Sequence, residues 1–69
     1  MGQSIRLQIG KNIKKIRIDR GYTQEKFAEI ADIDYKYLQR IEGKSPPNIR
    51  VETIAKLAKA LKVKPSDLF

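Results

Sequence analysis

The chain has 69 residues, no cysteine and no histidine, and its 15 Lys and Arg against eight Asp and Glu give a net charge of +7. This excludes disulfide bracing, a cysteine-based zinc site and catalysis through a histidine base or a Ser–His or Cys–His dyad. The length fits one domain, residues 1–69, held by helix packing alone, and the charge points to a polyanionic partner, nucleic acid ahead of an anionic membrane surface.

No apolar run approaches the roughly 20 residues of a membrane span, and no secretory signal opens the chain. Met1-Gly2 opens like a myristoylation motif, but Arg6 stands where that motif needs Ser or Thr. The expectation is a cytoplasmic protein that does not engage membranes. Punctuation at Gly21, at 32–34, at 43–48 and at Lys64-Pro65 cuts the chain into five helical segments, with no strand pattern.

The first helix is expected over about 4–20. Ile9, Ile13 and Ile16 recur on one helical face, Ile5 extends the stripe backwards, and Lys11, Lys14 and Lys15 point away. Gly21 suits the helix end. The second runs over 23–31 with Thr23 as N-cap, its hydroxyl accepting a free backbone N–H. Glu25 meets the positive end of the dipole, and Phe27, Ala28 and Ala31 form a short apolar stripe. The third, 35–42, follows Asp34 as N-cap, with Leu38 and Ile41 inward and Ile33 packing before its start. Only residues 32–34 separate these two helices, the spacing of a helix-turn-helix. Asp32 tolerates the left-handed backbone such a turn needs. The fourth helix, about 51–62, carries a wide apolar face of Val51, Ile54, Ala55, Leu57, Ala58 and Leu61. The fifth is a single turn begun by Pro65.

With the core set turned inward, Tyr35, Lys36, Gln39 and Arg40 share the outer face of the third helix. Arg40 can bond guanine at two atoms, Lys36 guanine or phosphate, and Gln39 adenine or phosphate. Tyr35 can donate to phosphate or pack on a thymine methyl. All four lie in the part of a recognition helix that enters the major groove. The eight carboxylates are scattered without metal or cofactor spacing, so no enzyme, metal or cofactor is expected.

The segments IGKNIKKIRIDRGYTQEKFA, YLQRIEGK and VETIAKLAKALKVKPSDLF, in this order, resemble the lambda-repressor-like helix-turn-helix family of Cro/XRE-type regulators. The resemblance implies an all-α, compact five-helix DNA-binding domain with helices two and three as the helix-turn-helix. It makes Tyr35, Lys36 and Arg40 base readers flanked by Gln39. It implies phosphate contacts from Gln24, Tyr37, Lys44 and Ser45, to which Thr23 at the start of the second helix is added, and a structural ion pair between Arg17 and Glu42. It implies a homodimer reading two half-sites of a double-stranded operator and regulating transcription, as a repressor that blocks polymerase or an activator that touches it. Three departures stand out: Asp32 replaces the usual turn glycine, Ile18 and Ile30 occupy usually polar positions, and the Pro-Pro loop 45–50 is about one residue long of the pattern. Ile18 and Ile30 keep open a second role, a protein-interaction module of the antitoxin or coactivator kind. Val63, Leu68 and Phe69 are expected to stay partly uncovered and to meet a second copy or another domain.

Overall fold

The computed structural model describes residues 4–69, so the Met1-Gly2 start falls outside it. Helix α1 covers Ile5–Asp19, α2 Gln24–Ala31, α3 Tyr35–Ile41 and α4 Val51–Leu61, and a 3-10 turn follows over Pro65–Leu68. Among the described residues there is no strand. The all-α reading therefore holds, with four α-helices and one 3-10 turn in place of five helices.

Helix starts follow local hydrogen bonding. The hydroxyl oxygens of Ser4 and Thr23 accept the backbone N–H groups of Arg6 and Lys26, each at 3.1 Å. The Asp34 carboxylate accepts that of Lys36 at 3.4 Å. These bonds occupy donors that a first helical turn leaves without partners.

Three helix ends share one geometry. Gly21, Asp32 and Lys62 take left-handed backbones with φ of 78°, 59° and 60°. In each, the next residue's N–H reaches back five residues, to Arg17, Ala28 and Ala58, at 3.0–3.1 Å. This is the Schellman ending, for which glycine is the usual residue. It explains why α1 stops at Asp19, and why Lys62, expected inside the fourth helix, lies just beyond it. Glu42, expected as the last residue of the third helix, is its cap.

The core gathers one face of every helix: Ile9 and Ile13, then Phe27, Ala28 and Ala31, then Leu38 and Ile41, then Ile54, Leu57, Ala58 and Leu61. Leu68 from the terminal turn completes it and is fully buried, against the expectation that it would stay partly uncovered. It is fixed from outside the core as well. The side-chain amides of Gln8 and Asn12 donate to the carbonyls of Phe69 and Leu68 at 3.0 and 2.9 Å. Three expected stripe residues lie outside: Ile5, Val51 and Ala55 are exposed. Ile5 and Val51 belong to first turns, which precede the stretch where α1 and α4 meet the core at Ile9 and Ile54.

A contact that the hydrophobic pattern does not announce sets α1 against α3. Gly10 is buried, and a Cβ placed on it would collide with the backbone carbonyl oxygen of Ile41. The two backbones touch where any other residue would hold them apart.

Candidate nucleic-acid interface

The α2–turn–α3 unit is built around Asp32. Its left-handed backbone turns the chain in one residue, and Ile33 tucks half-buried against the core as its N–H donates to Ala28. Helix α3 then starts at once from the Asp34 cap.

At 3.6 residues per turn, Tyr35, Gln39, Lys36 and Arg40 spread over about 140° of the α3 surface, while Leu38 and Ile41 lie near the opposite pole. Burial follows that division. Leu38 and Ile41 are 0% exposed, whereas Tyr35 is 37% exposed and Lys36, Gln39 and Arg40 are exposed. Tyr37 falls between the two arcs and is half-buried against the core. No side chain of the outward four makes a hydrogen bond or ion pair among the described residues. A seven-residue helix about 10 Å long and, with side chains, 10–12 Å across suits a major groove about 12 Å wide.

Behind α3 sits the polar group that holds it. The Arg17 guanidinium, 7% exposed on α1, donates through Nε to Glu42 Oε2 at 2.8 Å and through Nη2 to Oε1 at 3.0 Å. Its Nη1 donates to the carbonyl of Tyr22 at 2.7 Å. Gln24 Nε2, from the first turn of α2, donates to Glu42 Oε1 at 3.0 Å. One carboxylate thus gathers α1, α2 and the end of α3. The Gln24 amide has two N–H donors, and the second remains for an outside acceptor such as phosphate.

The remaining phosphate candidates lie at the two margins of α3. Thr23 is exposed at the start of α2, its hydroxyl oxygen accepting the Lys26 N–H. Lys44 and Ser45 are exposed in the loop after α3. Lys36, Arg40 and Lys44 have no carboxylate within ion-pair distance among the described residues, so their charge faces outward uncompensated. The described residues include no group of His, Cys, Asp and Glu that could hold a metal ion, and no helix long and apolar enough to cross a membrane.

The arrangement matches known proteins over most of its length. The helix-turn-helix family profile matches residues 13–68. The control protein C.BamHI of Bacillus amyloliquefaciens is 36% identical over 69 residues, covering 99% of this chain and 84% of the relative. The restriction-modification controller protein C.AhdI from Aeromonas hydrophila superposes with a TM-score of 0.86 at 30% identity, over 93% of this chain and 96% of that one. C.Esp1396I bound to a 19 base pair DNA duplex superposes with a TM-score of 0.85 at 30% identity, over 97% of this chain and 88% of that one.

Proposed function

The chain belongs to the helix-turn-helix family, and from that membership we propose that it is a transcription regulator of the controller type that binds duplex DNA sequence-specifically. The observation that carries this reading is α3 itself: one pole is fully buried, and the other presents Tyr35, Lys36, Gln39 and Arg40 without side-chain partners among the described residues. Arg40 and Lys36 read guanine in the major groove, and Gln39 and Tyr35 complete the contact to neighbouring bases or phosphates. Thr23, Gln24, Tyr37, Lys44 and Ser45 grip the backbone on either side and fix the register. Two protomers place their α3 helices about one DNA turn apart, so the operator is a pseudo-palindrome. The relatives named as control and controller proteins, and the one bound to DNA, support this reading over an enzymatic one.

A selection of binding sites from a random duplex pool, with affinity then followed against salt, tests it. Recovery of a pseudo-palindrome bound far more tightly than random duplex is expected. A steep salt dependence without any enriched sequence would refute sequence reading. The protein-interaction role rests on a separate observation, the exposure of Ile18 and Ile30. Changing both to Ser would spare operator binding and abolish partner capture under that role.

A further inference from the structure

Between the C-terminal half of α2 and the outer side of α4 lies an open cleft of about 380 Å³. No insertion in the sequence foreshadows it; residues of the α2 end and of α4 line it together. Tyr22 and Ile30 give it an apolar floor, and Ile30 is 42% exposed. Lys56, Lys59 and Lys62 line its rim as a cationic stripe along the last turns of α4 and its cap. Asp32 is the one carboxylate on the rim. The Lys56 ammonium lies 3.9 Å from it and donates to the Asp32 carbonyl at 3.4 Å. Lys59 and Lys62 have no carboxylate in reach among the described residues.

Lys62 is held there in an unfavourable conformation. With Asp32 it is one of two non-glycine residues with left-handed backbone among the described residues, and both line this cleft. Asp32 sits where the turn into α3 demands that backbone. Lys62 merely ends α4, which glycine does at lower cost, and its side chain has no hydrogen-bond or ion-pair partner among the described residues. Lys62 therefore sets an unpaired charge beside the apolar floor of the cleft.

We propose that this cleft is a second binding site, for a small amphipathic anion: an aryl or short acyl carboxylate. Its apolar body lies on Tyr22 and Ile30, and its carboxylate sits between Lys59 and Lys62. The volume matches the low end of the roughly 300–1,000 Å³ of small-molecule sites. A protein partner would need about 800 Å² of surface with several apolar anchors, whereas Ile30 is the one large exposed apolar side chain in the lining. A nucleic-acid backbone would use the lysines and leave the floor idle. The ligand would also touch Asp32, whose backbone sets the angle between α2 and α3, so occupancy bears on the recognition helix. The site itself does not depend on the DNA-binding reading.

The test is an amide chemical-shift titration of the isotope-labelled full chain, with naphthoate as probe and naphthalenemethanol as its uncharged counterpart. Saturable shifts are expected at Tyr22, Ile30, Asp32 and Lys59, with the alcohol binding at least about threefold more weakly, the scale of two exposed charge contacts. Ile30→Asp, a surface change whose own spectrum reports the fold, should abolish them. Lys59→Gln combined with Lys62→Asn should lower naphthoate affinity to that of the alcohol. Shifts that fail to saturate, that map to α3, or that survive Ile30→Asp overturn the proposal, as does equal binding of the alcohol. So does duplex DNA perturbing the cleft while naphthoate does not, which would assign the lysines to phosphate.

Discussion

Removing one member of the Arg17–Glu42 pair should damage this protein far more than removing both. The Glu42 side chain is 2% exposed and that of Arg17 8%. Arg17→Met takes away two bonds to Glu42 and one to Tyr22, leaving a buried carboxylate held by Gln24 alone. Breaking a buried pair in this way costs about 3–5 kcal/mol. A chain of 69 residues has a total stability of about 3–10 kcal/mol, so the single variant approaches unfolding at room temperature. The double variant Arg17→Met/Glu42→Leu buries no charge. It leaves the Gln24 amide and the Tyr22 carbonyl to find water, a cost of about 1–3 kcal/mol in all. Urea unfolding of both single variants and the double gives the coupling directly, with the midpoint read at constant slope. We expect the double to be more stable than either single variant. Costs that simply add would refute the reasoning, because they would show that neither charge depends on the other. For single variants that do not fold, Arg17→Lys supplies a milder reference at about 1–3 kcal/mol, since it keeps the charge and loses the two-pronged contact to Glu42.

Gly10→Ala should destabilise by about 1–3 kcal/mol through overpacking against Ile41, although alanine in an open helix would gain about 1 kcal/mol; a melting curve decides the sign. Lys62→Gly should raise stability by about 0.5–1 kcal/mol by relieving the left-handed lysine, visible as a higher urea midpoint. Arg40→Ala should weaken operator binding by about 1–3 kcal/mol and relax preference at one base pair, whereas Lys44→Ala should weaken all sequences alike and lower the salt slope by about 1. Quantitative binding to a set of single-base operator variants separates the two patterns.

Much of this fold is written in local signals. Thr23 and Asp34 announce helix starts, Gly21 announces an end, and the spacing of Phe27, Ala31, Leu38 and Ile41 fixes which face turns inward. The outward face of α3 was legible for the same reason: once Leu38 and Ile41 are assigned to the core, helical geometry leaves Tyr35, Lys36, Gln39 and Arg40 on the far side. What escaped the sequence is contact between distant segments. Leu68 reads as a loose apolar end until Gln8 and Asn12 are seen to hold its turn against α1. Gly10 follows Ile9 in the first helix, and nothing in the apolar pattern marks the close approach to Ile41 that it permits. Lys62 gives no signal at all, since lysine ordinarily continues a helix. Ile5 and Val51 fit the apolar period but lie on turns the core does not reach, and period alone is blind to where packing begins.

Backbone contact at Gly10 also bears on how such a protein changes its target. Helix α3 rests on its buried Leu38 and Ile41, on the main chain of its neighbour and on one carboxylate, Glu42, with no dependence on the outward side chains. Mount and lettering are therefore separate. Positions 35, 36, 39 and 40 can be randomised together with little effect on folding, and if they read bases as proposed, a library so made would sample new operators from one fixed pose.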